Sequence, residues 1–363
     1  MRKKITYLVM VLLVSCFLAG CQEIENPDFA DKMANQQASI VEKVDLSRLS
    51  APKELFVYSA ALWKREPEEI AEVFLGKGFK EGETYAEGRT FVQNTGTQKE
   101  QIVIATDGGM AYFGETGHAN DNGVIFSRLD LGELLNGSNN YQELCEEYYN
   151  TGKISGGESK EEDVISGIEK GVSQYLEQLG MEGYKLDATG VLDSEGLDGR
   201  KCYVMYWKQV VDGIPLSNDC FMNTGNKEVY NYRHQVCHAD LSAGVSVLET
   251  HFLENELIDW RNSDIIRPDK QLKKYSLVSA NKAFEKVKEC YPPVTEDEET
   301  PRLERAELQY QLLGRKGKYY LYPIWLFGVC KKNELTGAPA WEYYMMDAVT
   351  GDFLSDIPEE LLE

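Results

Sequence analysis

Positive charge is scarce in this chain: 38 Lys and Arg stand against 60 Asp and Glu, a formal net charge of -22. A polyanion of that size favours neither nucleic acid nor an anionic lipid surface, because its summed field repels both. Histidine is scarcer still, with four in 363 residues, so a general base or a metal site has few ways to form. The local signatures of common catalytic sites are missing. There is no Gly-x-Ser-x-Gly turn, no His-Glu-x-x-His, no Walker loop, no Cys-x-x-Cys and no Gly-x-Gly-x-x-Gly. His234, Cys237 and His238 come nearest to a ligand set, but on a strand the two histidines share one face and Cys237 points to the other. Asp193 to Gly199 has the look of a calcium loop without the EF-hand spacing or its terminal Glu, and reads as a hairpin turn. No metal, cofactor or catalytic residue is expected, and the chain reads as a non-enzyme.

Long apolar runs are also absent after the first twenty residues; no later stretch approaches the ~18 needed to span a bilayer. The start is different. Arg2, Lys3 and Lys4 precede an apolar run from Ile5 to Phe17, and Leu18-Ala19-Gly20-Cys21 closes it. About 16 apolar residues at ~1.5 Å each reach only ~24 Å, short of a ~30 Å hydrocarbon core. The arrangement resembles the bacterial lipoprotein lipobox. That resemblance implies a signal peptide over 1–20, diacylglycerol on Cys21, cleavage just before it, and an anchored protein on the extracytoplasmic face of the cell membrane. Losing residues 1–20 removes three cations and no anions and takes the net charge to -25. The acyl chains must then do the anchoring.

Six cysteines remain besides Cys21 in the mature chain, in a compartment that permits disulfides. Residues 200–211, 214–224 and 227–238 read as a meander turning at Asp212-Gly213 and near Gly225-Asn226. Folded about those turns, Cys202 faces Phe221 to Asn223, Cys220 faces Asn231 and Cys237 faces Ile214. No cysteine faces another, so buried thiols are expected for these three; Cys145, Cys290 and Cys330 stay open.

The pattern along the chain suggests a lipidated tether over 21–50, with a weak helical stripe at Met33, Ile40, Val41 and Val44, then three α+β units. In each, one helix packs on a small antiparallel sheet. The first, 51–155, has Pro67 opening a helix with Ile70, Val73 and Phe74 on one face, strands at 85–93, 101–105, 110–113 and 124–127, and a short helix near 141–149. The second, 156–265, opens with a capping box at Ser159 and Glu162 and an apolar stripe from Val164 to Leu179 that Gly180 ends. Cys202 to Val211 is apolar on both faces, which suits a central strand. The third, 266–363, carries Ala280, Ala283, Phe284 and Val287 on one helical face, then strands at 305–313, 319–329 and 341–347. Pro323 implies an edge or a bulge. Asp347 to Gly351 makes the last turn.

Tyr322-Pro323-Ile324-Trp325-Leu326-Phe327 followed by Tyr343 to Gly351 resembles the closing hairpin of PepSY-type modules, and the Ser279 to Ala283 helix start fits the same pattern. Val211 to Leu216 is similar to the turn in propeptide modules of thermolysin-like proteases and in YycI-like regulators of Gram-positive bacteria. The resemblance makes the last two units PepSY-like. It implies a membrane-anchored surface lipoprotein that binds a protein or peptide partner, with modulation of a membrane kinase or protease as one role. A solute- or glycan-binding lipoprotein and a hydrolase with dispersed carboxylates are the alternatives. Aromatic density singles out Trp325, Tyr343 and Tyr344 as partner-binding candidates: Tyr343 and Tyr344 point to opposite faces, and one of them is expected outside the core.

Overall fold

The computed structural model describes residues 40–82, 88–95, 100–106, 111–116, 141–154, 162–192, 201–217, 248–262, 265–291, 300–315, 318–332, 337, 339–354 and 361. Ile40–Tyr291 and Pro301–Glu363 form one compact unit. In chain order its described elements are β1 (Val41–Glu42), a 3-10 turn (Leu46–Arg48), β2 (Glu54–Leu62), α1 (Pro67–Leu75), β3 (Lys80–Glu81), β4 (Arg89–Gln93), β5 (Glu100–Ala105), β6 (Ala111–Thr116), α2 (Tyr141–Thr151) and α3 (Glu162–Leu179). There follow β7 (Tyr184–Leu192), β8 (Cys202–Val211), β9 (Ile214–Pro215), β10 (Leu248–Leu253), β11 (Glu256–Asn262), β12 (Ile266–Ser276), α4 (Ala280–Lys288), β13 (Arg302–Arg315), β14 (Lys318–Lys332) and β15 (Pro339–Asp347).

Two sheets hold the core. Sheet A runs β1-β13-β14-β2-β12, with β15 also on β14; sheet B runs β3-β4-β5-β6-β11-β10-β8-β7, with β9 also on β8. The ranges 51–155 and 156–265 therefore meet in one sheet, since β6 pairs with β11. Strand β2 lies within 51–155 and pairs with β12 and β14 of the last range. Two helices rather than one cover sheet B on one face. Ile70, Ala71, Phe74 and Leu75 of α1 and Ile168, Val172, Leu176 and Leu179 of α3 pack with Phe91, Phe113, Met205, Trp207 and Trp260. The opposite face takes Leu144 and Tyr148 of α2 against Val204, Tyr206 and Ile258. At ~25 cal/mol per Å2 of apolar area, it is this two-sided cover that stabilises so wide a sheet.

The start of the body is strand, not helix. Val41 and Glu42 pair in parallel with Arg302 and Leu303 while Ile40 is buried, so the stripe at Ile40, Val41 and Val44 serves a sheet edge. Pro67 occupies the first turn of α1, where its missing N–H costs nothing. Gly180 ends α3 at φ +68°. Strand β8 is central, as its two apolar faces require, between β7 and β10. The places beside Cys202 are held by Leu192 and Leu253, replacing the expected facing of Cys202 with Phe221 to Asn223. Val211 does pair with Ile214 across Asp212-Gly213. Cys220, Cys237, His234, His238, the 193–199 turn, Ser159, the 124–127 strand and Cys21 lie outside the described residues.

Pro323 falls where one neighbour of β14 gives way to another. β2 pairs with Tyr319 to Leu321 and β15 from Ile324 onward, so the missing donor faces a gap in the ladder. Its carbonyl accepts from the Ala348 N–H at 3.2 Å. The turn that follows is tied by Asp347 Oδ1, which accepts from the N–H groups of Val349 at 2.7 Å and Thr350 at 3.2 Å, while Gly351 takes φ +85°. Among the described residues no helix is long and apolar enough to cross a membrane.

Candidate functional site

The three aromatic candidates are core. Relative exposure is 2% for Trp325, 0% for Tyr343 and 1% for Tyr344. Tyr343 and Tyr344 do point to opposite faces of β15, but both faces are covered. Tyr344 packs with Trp325, Phe284 and Phe327 under α4, and its hydroxyl meets Tyr291 at 2.8 Å and Glu342 at 3.1 Å. Trp325 donates its indole N–H to the Val278 carbonyl at 3.0 Å. On the other face Tyr343 packs with Leu313, Tyr320, Leu326 and Leu354, and its hydroxyl reaches the Asn150 carbonyl at the end of α2 at 3.0 Å. The expected aromatic surface is thus absent, because α2 and the chain after β15 cover the face left over by α4.

Among the described residues charged groups gather at two places, one half-buried and one buried. At the seam between the sheets, Arg305 of β13 donates to both oxygens of Glu307, Nε at 2.7 Å and Nη2 at 3.1 Å, and Gln309 donates to the same carboxylate at 2.5 Å. Lys208 of β8 lies 3.7 Å from Glu307 and 2.9 Å from Asp187 of β7, while Tyr148 of α2 donates to Asp187 at 2.8 Å. Burial pushes Glu307 up, but Arg305 and Lys208 with the hydrogen bonds from Arg305 and Gln309 more than reverse this and hold it at about 2. Gly152, at φ +74°, lies against the pair so closely that a Cβ there would come within 2.6 Å of Glu307 Oε1. The seam ties sheet A, sheet B and α2 together.

The second place is the α2-facing side of β10 and β11. His251 sits between two carboxylates, Nδ1 at 2.7 Å from Asp259 and Nε2 at 3.3 Å from Glu249, and Arg261 Nε lies 2.6 Å from Asp259. These are the residue types of acid–base chemistry, but His251, Glu249 and Asp259 are all buried. The free thiol of Cys202 belongs to the same neighbourhood; burial, with Asp259 adding to it, pushes its pKa up to about 12, where it is inert as a nucleophile at neutral pH. Cys145 Sγ meets the Tyr206 hydroxyl at 3.1 Å, and the Cys290 thiol donates to the Lys286 carbonyl at 3.8 Å.

Among the described residues the long exposed strand is β12, which sequence reasoning missed. It forms one end of sheet A, and from Arg267 to Lys274 every residue is exposed on both faces. Arg267, Lys270, Lys273 and Lys274 stand there against the single anion Asp269, a cationic ridge on an anionic body. Leu272, 43% exposed, projects among them. The signal was in the sequence: Lys270 to Lys274 contains three lysines in five residues, against the acidic trend of the chain.

No protein-family model matches the chain, and no curated protein matches it. Among solved structures, an uncharacterized protein from Eubacterium rectale is similar over 84% of this chain and 87% of its own, with a TM-score of 0.54 at 14% identity. The C-terminal domain of Bacillus megaterium YpeB covers 79% of this chain and 93% of its own, at 10% identity and a TM-score of 0.33. YycH from Bacillus subtilis covers 80% of this chain and 52% of its own, at 9% identity and a TM-score of 0.30. At such identities the first likeness establishes a shared mixed α/β fold with antiparallel sheets, and function must come from the residues.

Proposed function

We propose that the protein is a lipid-anchored, extracytoplasmic binding protein that engages a protein or peptide partner at the membrane surface and performs no catalysis. The observation that carries this reading is the β12 ridge, an edge strand of eleven residues whose side chains from Arg267 to Lys274 are open on both faces. Edge strands are where proteins receive a partner's backbone, and a ridge opposite in charge to the rest of the molecule selects what approaches. The charged interior constellations are held in contacts with one another inside the fold. The lipobox at Leu18 to Cys21 and the PepSY-like pattern at 322–327 and 343–351 support the same reading.

Anchoring is tested by Cys21→Ser. The variant is expected to accumulate unprocessed and to lose diacylglycerol labelling; normal labelling would sink the localisation. Partner binding is tested by crosslinking in intact cells and mass spectrometry of what copurifies. The expected product is a membrane or surface protein recovered with the anchored chain and lost when Lys270, Lys273 and Lys274 are all changed to Glu. Equal recovery from that variant would move the binding face elsewhere.

A further inference from the structure

The ridge constrains its occupant more tightly than charge alone. The pairing of β12 with β2 shifts register between Pro268 and Gln271 and again between Gln271 and Lys273. These irregularities, with Pro268, are the usual guards of a sheet edge; they break the pairing in the middle of the strand, between Pro268 and Lys273, after Ile266 to Pro268 have paired in step with Leu62 to Ala60. The second half is regular: Lys273, Lys274, Tyr275 and Ser276 pair in step with Val57, Phe56, Leu55 and Glu54. Guarding alone explains the proline and the shifts but not the four regular residues at the end of the sheet, beyond which no described strand pairs.

Lys273 and Lys274 lie on opposite faces there. Lys273 stands over the ring of Tyr275, 4.8 Å from its centroid, on the Tyr343 side of the sheet, and Lys274 stands over Phe56 at 5.6 Å on the α4 side. Lys274 also meets Glu54 at 2.8 Å, a pair with both side chains about half exposed and so readily exchanged. A strand added to this edge would present successive side chains alternately to the two faces. Two consecutive carboxylates would then each find a lysine. A flat bilayer reaches one face only, and Leu272 is a lone apolar contact in a chain of charge -22. A second β12 brings the same lysines and is repelled.

We propose that Lys273 to Ser276 accept an acidic, extended polypeptide segment as an added strand, with adjacent carboxylates engaging Lys273 and Lys274 from opposite faces. This rests on the reading that the protein acts by binding, and names the chemistry of the partner.

The test uses the chain from residue 22 onward, which retains the whole compact body, and fluorescence anisotropy with a labelled peptide, Thr-Glu-Val-Glu-Glu-Val-Glu-Thr. The acidic peptide should bind, more weakly as salt is raised, while a peptide with Lys in place of each Glu should not. The double variant Lys273→Gln, Lys274→Gln should bind roughly tenfold more weakly with an unchanged melting temperature, since both side chains are exposed. An acidic peptide N-methylated at alternate amides should lose binding, because strand addition needs its N–H groups. Equal binding of the acidic and basic peptides, undiminished binding of the N-methylated one or of the double variant, or capture by phosphatidylglycerol vesicles without capture of the peptide would each overturn the proposal. Should the peptide fail while ridge-dependent crosslinks still form in cells, this inference falls and the binding role stands.

Discussion

Replacing Tyr343, Tyr344 or Trp325 with Ala is expected to cost about 3 to 5 kcal/mol of folding stability in each case, the range for deleting a fully buried aromatic. Removal of Trp325 also leaves the Val278 carbonyl without its 3.0 Å donor. Tyr344→Ala opens a cavity beneath α4, and Tyr343→Ala opens one on the opposite face and cuts the tie to Asn150. Denaturant midpoints at fixed m-value measure the effect. A tyrosine variant within ~0.5 kcal/mol of the wild type would mean that its face of β15 is exposed and would restore the aromatic hairpin as a surface.

Glu307→Gln should be comparably severe, for an electrostatic reason. The carboxylate sits between Arg305, which is buried, and Lys208, whose side chain is 8% exposed, and its own side chain is 26% exposed. Taking its charge away leaves the buried Arg305 guanidinium without its carboxylate, while Lys208 keeps Asp187 at 2.9 Å; breaking such a buried pair costs about 3 to 5 kcal/mol. The pH dependence follows from the direction of the shift. A carboxyl held at about 2 in the fold, against an ordinary 4.5, contributes stability that is fully present above about 4.5 and is lost as pH falls through about 2. The shift corresponds to a contribution on the order of 3 kcal/mol. The stability gap between wild type and variant should therefore be full at pH 7 and narrow progressively between pH 4.5 and 2. A gap that stays constant across that window would show that Glu307 does not ionise against Arg305 and Lys208.

The helices were legible because each buries one stripe. Ile168, Val172, Leu176 and Leu179 recur at helical spacing and face a single sheet, and Ala280, Ala283, Phe284 and Val287 do the same. The long strands β13 to β15 and the central β8 showed in their apolar content, and the end of the chain showed in its turn chemistry. What the sequence hid was partnership between distant segments. Glu54 to Leu62 carries no marker that it belongs beside Ile266 to Ser276, some two hundred residues on, and alternation within a strand cannot say which strand lies next to it. Strand β12 escaped altogether because a strand exposed on both faces has no hydrophobic period to detect. The aromatic candidates misled for a related reason. Tyr343 and Tyr344 do alternate across the sheet, but the cover over the second face comes partly from α2, whose contact with β15 is non-local.

That binding occurs at the open edge of sheet A, away from the aromatic hairpin, is tested most directly by site-resolved photocrosslinking in intact cells. A photoreactive residue is placed at position 272 on the ridge or, for comparison, at position 285 on α4, whose side chain is 66% exposed. Position 272 is predicted to give a discrete protein adduct that disappears when Lys273 and Lys274 are changed to Gln, with none from position 285. Adducts from 285 alone, or adducts at 272 that persist without the two lysines, would contradict the account.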